Sequence, residues 1–196
     1  MTSTTSTTSH PTREFEGLAL PEAGIFAIDT THSEVGFLAR HMVVTKVRGR
    51  FGEYSGQVVL AENPLDSTVE VTIRTSSIDT REEARDNHLR SGDFFESEAH
   101  PELTFKSTAV EHRGGARFSV TGDLAIKEVT KPVTLDVDYG GVIVDPYGGE
   151  RIGFTARTEI DRYDFGLTWG TALETGGLVV GRNVLLELEV EAVRTA

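Results

Sequence analysis

The chain has 196 residues and no cysteine. Disulfides, thiolate zinc sites, iron–sulfur clusters and cysteine nucleophiles are therefore excluded together, while the redox compartment stays open. Basic charge is scarce: 19 Lys and Arg stand against 31 Asp and Glu, a formal net charge of −12. A nucleic-acid partner normally requires a basic face, so none is expected. The same balance argues against a peripheral protein held to anionic lipid by its overall charge. No uninterrupted apolar run exceeds the four residues 25–28, so no helix of this chain spans a bilayer. The start lacks the cationic segment and apolar stretch of a secretory signal, so a cytoplasmic location is expected. Apolar residues still make up 38 %, enough for a core and too many for a disordered chain.

Residues 2–9 are all Thr or Ser, and Pro11 and Pro21 follow. Such a segment has little to bury, so 1–24 reads as a disordered Ser/Thr-rich tail ahead of one domain at 25–196. From Gly24 onward the pattern has a period of two, the mark of strands with one buried face. Val69, Val71, Ile73 and Thr75 share a face. So do Phe118, Val120, Gly122, Leu124 and Ile126, then Val133, Leu135, Val137 and Tyr139. Ile152, Phe154, Ala156, Thr158 and Ile160 form another set, and Val184, Leu186, Leu188, Val190 and Ala192 the last. Val35, Phe37, Ala39, His41 and Val43 are a less regular early set, and 51–60 and 102–110 add two strands. Gly-Gly pairs at 114–115, 140–141, 148–149 and 176–177 supply the positive φ of tight turns.

About eight long strands joined by short turns give an all-β fold with an antiparallel sheet. Closure into a barrel removes its edges, and strands of ten or more residues favour the barrel over a two-sheet sandwich. One segment breaks the pattern: near residues 79–91 charge is high, and Thr80 and Glu83 have capping-box spacing. A short helical segment is expected there, with Phe94 and Phe95 plugging one end of the barrel.

An eight-stranded barrel either fills with side chains or holds one small ligand. Small residues at the inward positions Thr75, Gly122, Ala156 and Thr158 favour a cavity, and inward Phe residues suit a long apolar guest. The candidate lining is Phe37, Phe105, Phe118, Phe154, Phe165 and Trp169. The candidate polar contacts are His32, His41, Arg85, Asp86 and His88. A metal site from His32, His41 and His88 lacks supporting spacing. Asp86 beside Arg85 and His88 reads as a helix-surface ion-pair cluster. Ser33 and Ser91 lack a nucleophile-elbow context, and no glycine pair precedes a helix as a phosphate loop does. Arg40, Lys46, Arg48 and Arg50 form a basic island, read either as a solvated strand face or as a contact for an anionic lipid headgroup.

Several linked segments carry a family resemblance. They are Ile28-Asp29-Thr30-Thr31-His32-Ser33-Glu34-Val35-Gly36-Phe37 with Arg40-His41, then Val47-Arg48-Gly49-Arg50-Phe51. Ser77-Ile78-Asp79-Thr80, Arg85-Asp86-Asn87-His88-Leu89, Asp93-Phe94-Phe95 and Pro101-Glu102-Leu103-Thr104-Phe105 follow. Thr121-Gly122-Asp123-Leu124, Val129-Thr130-Lys131-Pro132-Val133 and Arg162-Tyr163-Asp164-Phe165-Gly166 complete the set. In this order, over about residues 25–193, they resemble the YceI-like family of bacterial polyisoprenoid-binding proteins. The resemblance implies a lipocalin-like barrel with an elongated apolar cavity. It implies non-enzymatic binding, carriage or sequestration of an isoprenoid or other long-chain amphiphile, such as a polyprenyl phosphate or quinone. It implies no resident cofactor. Lys127-Glu128 departs from the small residue relatives commonly place there, and members are often exported, whereas this start shows no export signal. Two rivals remain at this level: an enzyme acting on such a lipid through the His/Asp cluster, and an interaction module with a solid core. An exposed edge strand would allow pairing with a second copy.

Overall fold

The computed structural model describes residues 11–42, 44–170 and 179–195. A short hairpin of β1 (Thr12–Phe15) and β2 (Leu18–Pro21) comes first. Then follow β3 (Gly24–Ile28), β4 (Glu34–His41), β5 (Thr45–Phe51), β6 (Tyr54–Leu60) and β7 (Thr68–Arg74). An excursion carries β8 (Ile78–Asp79) and the helix α1 (Glu83–Arg90). Five long strands close the order: β9 (Glu102–His112), β10 (Arg117–Ile126), β11 (Val129–Val144), β12 (Glu150–Asp161) and β13 (Val180–Arg194).

Pairing runs β12-β11-β10-β9-β7-β6-β3-β13, and β13 returns to β12. The seam is long, from Arg151 opposite Val193 to Asp161 opposite Asn183, so the sheet is a closed barrel and the sandwich is excluded. Each neighbouring pair is antiparallel. β3 and β4 are two lengths of one wall, since β13 pairs first with β4 and then with β3. β5 and β6 form the adjacent wall in the same way. Counted by walls, the barrel is the expected eight-stranded antiparallel one of lipocalin type. Its alternation is visible on β13, where Glu187 and Glu189 are exposed while Val184, Leu186, Leu188 and Val190 face the interior.

The N-terminal boundary differs from the sequence reading. From Thr12 the chain is not a tail: Leu20 and Pro21 are buried, and the Tyr139 hydroxyl donates to the Ala19 carbonyl at 3.0 Å. Leu20 caps a cluster of Phe26, Val58, Tyr139, Ile152 and Ala192 at one end of the barrel. Two four-residue strands are too short to show a period beside a Ser/Thr run, which is why the pattern missed them.

The glycine pairs divide. Gly114 (φ +93°) and Gly115 (φ +59°) turn the β9–β10 hairpin as expected. Gly140-Gly141 is not a turn. β11 runs straight through it, with a register slip between Tyr139 and Gly141 and Gly141 at φ +111°. This is a β-bulge, which sharpens strand bend and twist at a point where the barrel must curve. Lys127 takes φ +55° in the β10–β11 turn and pairs with Glu96 at 3.2 Å, so the departing Lys127-Glu128 lies at the rim. The pair 176–177 lies outside the described residues.

The helical segment exists but its start differs. Glu82, not Thr80, is the N-cap of α1, accepting from the Ala84 amide at 3.4 Å. Thr80 is instead buried, and both its amide (2.9 Å) and its hydroxyl (2.5 Å) donate to Asp86 Oδ1. The expected cluster of Asp86 with Arg85 and His88 on the helix surface is therefore wrong for Asp86, which faces inward and ties the helix to the chain before it. No described helix is long and apolar enough to cross a membrane.

Candidate functional site

The antiparallel meander gives the barrel two unlike ends. The β1–β2 hairpin and the short helical turn Pro64–Asp66 close the lower end. The upper rim carries the β4–β5 hairpin, α1, the β10–β11 turn and the turn Arg162–Phe165 after β12. Between them lies a cavity of about 300 Å³. A solid interior, one of the rival expectations, is not what the sequence builds.

Period two explains the lining. Val35, Phe37 and Ala39 from β4, Val120 and Leu124 from β10, Val133, Leu135 and Val137 from β11, and Phe154 and Ala156 from β12 all reach the cavity. Phe94 and Phe95 cover it from the excursion, as expected of a plug. Not every small inward residue leaves space. A Cβ on Gly122 would lie 2.5 Å from the Phe105 ring, so that ring fills the gap the missing side chain leaves. Phe37 uses Gly49 across the strand pair in the same way, its ring occupying the space a Cβ there would need. Thr75 is buried and donates to the His100 carbonyl at 2.9 Å. Of the four small positions, Ala156 is the one whose side chain the cavity touches.

The few polar groups of the lining are already engaged. The Tyr54 hydroxyl donates to the Ser33 carbonyl at 2.5 Å, and burial pushes its pKa up. Tyr139 is pushed up to about 12, first by burial and then by the nearby Glu150 carboxylate. Ser67 accepts from the Ala61 amide at 3.1 Å. Arg162 is the one charged lining residue among those described, and it is 3 % exposed. Its guanidinium donates to the carbonyls of Gly181 (2.9 Å), Val180 (3.1 Å) and Leu167, and stacks 4.7 Å from the Tyr163 ring. Burial holds its pKa below the ordinary arginine value. Arginine suits this position because its planar fork meets several carbonyls at once. It pins the turn after β12 to the start of β13, and so builds the upper rim. Sequence reasoning included Arg162 among its motif segments but did not nominate it. A lone Arg at a strand end carries no sign that it will be buried.

The nominated residues separate into groups. Phe37, Phe105, Phe118 and Phe154 line the cavity. Phe165 is buried in the main core without reaching it, and Trp169 lies outside it, edge-on to His88 (4.7 Å) and tilted against Phe94 (5.3 Å). The polar five do not converge. His88 lies 2.8 Å from Asp93, Arg85 donates to the Thr80 hydroxyl (2.7 Å) and carbonyl (2.8 Å), and His41 is half-buried at the β4 end. His32 is exposed on the outer wall, 2.9 Å from Asp29. None of the five is among the described lining residues.

Asp29, His32 and Glu191 bring potential ligand atoms within 4.8 Å of one another. The gap between the two carboxylates is filled by Arg151, whose Nη1 reaches Asp29 (2.7 Å) and Glu191 while its Nε holds Asp145 at 2.7 Å. The Arg151 guanidinium, then the His32 ring, hold the Asp29 carboxyl well below the usual range. Three carboxylates around one guanidinium make a wall clasp joining β3, β12 and β13. A cation would have to displace it.

A closed antiparallel barrel around an apolar cavity is an architecture with room for a small ligand. The family can be stated outright: the YceI-like domain model matches residues 26–192, and the chain belongs to that family. A UPF0312 protein of Vibrio parahaemolyticus is 37 % identical over 185 residues, spanning 90 % of this chain and 93 % of that protein. A crystal structure of a Campylobacter jejuni YceI protein superposes with a TM-score of 0.70 at 32 % identity, covering 80 % of this chain and 90 % of that one. A polyisoprenoid binding domain from Saccharophagus degradans shares the fold, with a TM-score of 0.68 at 16 % identity, covering 89 % of this chain and all of that one.

Proposed function

We propose that this protein binds the apolar tail of an isoprenoid or similar long-chain amphiphile inside its barrel and carries or sequesters it without catalysis. A polyprenyl phosphate or a prenylated quinone fits the class. The observation that carries the reading is the cavity itself: it is apolar along its length, and Tyr54, Tyr139, Ser67 and Arg162 already direct polar atoms to protein groups. A proton-transfer catalyst would need a free acid or base facing the guest. The fold shared with a polyisoprenoid binding domain supports the same class of guest. Burying about 400 Å² of tail contributes roughly 10 kcal/mol before association costs, enough for micromolar binding.

Organic extraction of the purified protein followed by mass spectrometry reads any retained lipid directly. Titration with a polyprenyl phosphate and with a prenylated quinone should raise the melting temperature by about 5–10 °C at a hundredfold excess over Kd. Ala156→Phe, which fills the cavity from β12, should weaken that binding about tenfold or more while the protein stays folded. An empty extract together with an unmoved melting temperature for both lipids refutes the proposal.

A further inference from the structure

The tip of the β4–β5 hairpin combines features that folding alone does not explain. Val44 is 85 % exposed and Met42 is 46 % exposed, although both are apolar. Met42 also holds φ +50°, a left-handed conformation that turns ordinarily give to Gly or Asn. Directly behind them Arg40 and Lys46 face each other across the strand pair. Both are exposed, and neither has an ion-pair partner among the described residues. Like charges directly opposite weaken a strand pair. Farther down the hairpin the charges are matched: Arg48 holds Glu187 at 3.0 Å and Arg50 holds Asp79 at 3.3 Å. Charged side chains, Lys above all, on an edge strand resist unwanted pairing, which accounts for a lone Lys46 on β5 but not for Arg40 set directly opposite it. It accounts still less for bare Val44.

We propose that this hairpin tip is a docking surface for an anionic lipid bilayer, with Met42 and Val44 entering the interface and Arg40 and Lys46 meeting the headgroup phosphates. Charge complementarity selects the occupant: a cationic pair with no ion-pair partner among the described residues flanks exposed apolar groups in a chain of net charge −12. The whole-chain balance argues against membrane contact only until distance is considered. Charges farther than about 10 Å from the surface are screened at about 0.1 M salt, so the acidic groups of the lower end weigh little against contact at the tip. Position gives the contact a use. The tip stands on the upper rim, beside the β13 start and the Arg162 turn, so docking would bring the bilayer to that end of the cavity. The inference extends the proposed function, but its test does not depend on lipid uptake.

The test is co-sedimentation of the full chain with phosphatidylcholine vesicles, with and without phosphatidylglycerol. Binding is expected only to the phosphatidylglycerol vesicles, and it should fall as salt rises. Arg40→Glu with Lys46→Glu, and separately Val44→Asp, should each reduce binding about tenfold or more. Arg113→Glu, on the opposite rim, should leave it unchanged. Circular dichroism and melting curves establish that every variant is folded. Absence of binding to anionic vesicles overturns the inference, including where the tip turns out to engage a protein. Equal loss in Arg113→Glu and the tip variants overturns it too, since net charge would then be the cause. Vesicle binding without uptake of either probe lipid would keep this inference and remove the proposed function.

Discussion

Asp86 shows how far a side chain's role depends on where it points. On paper it belongs to a charged helix. In the fold it accepts from the Thr80 amide and hydroxyl inside the protein. Removing the acceptor strands a buried donor, so Asp86→Ala should cost about 2 kcal/mol, and Asp86→Asn, which keeps an acceptor oxygen, less. Urea denaturation reads both, and an Asp86→Ala midpoint equal to the parent's would show that Thr80 has another partner. The phenylalanines were legible individually, because alternation placed Phe37, Phe105, Phe118 and Phe154 inward. That Phe105 and Phe37 would lie over Gly122 and Gly49 was not legible, since the match of ring to missing Cβ depends on cross-strand register.

Among elements, the long strands were readable from period two and the shortest were not. The β1–β2 hairpin is the chief case. Its energetic weight rests on Leu20, which is 4 % exposed against the lower core. Leu20→Ala should destabilise by about 3 kcal/mol, whereas Thr12→Ala should change stability by less than about 0.5 kcal/mol. Matched thermal or chemical melts check this, and a near-neutral Leu20→Ala would return the hairpin to the status of an ornament. The bulge at Gly141 makes a related point. A glycine pair announces unusual backbone, but whether it ends a strand or bends one is settled by the neighbour strand's register.

At the scale of the whole molecule, the clasp that Arg151 makes among Asp29, Asp145 and Glu191 adds a charged tie between the first wall and the last two. Arg151 holds the Asp29 and Asp145 carboxyls below their ordinary values. Carboxyls lowered in the folded state stabilise above their unfolded pKa of about 4, and that contribution is lost as pH falls toward the folded values. Arg151→Gln should therefore melt lower than the parent at neutral pH, with a gap that narrows as the pH drops below about 4. A gap that stays constant from pH 7 to about pH 2 would mean that the clasp acts through packing and not through charge.

The amino-acid order by itself determined the class of fold, the faces of its strands and the family, because alternation and linked motifs are local properties of a chain. Tertiary structure alone decided that the β1–β2 hairpin seals the barrel, that Asp86 and Arg162 turn inward, and that the interior stays hollow. Each of these is a matter of which distant residues meet when the last strand closes on the first. A cavity is the volume that remains after every wall has been placed, and no single wall encodes it.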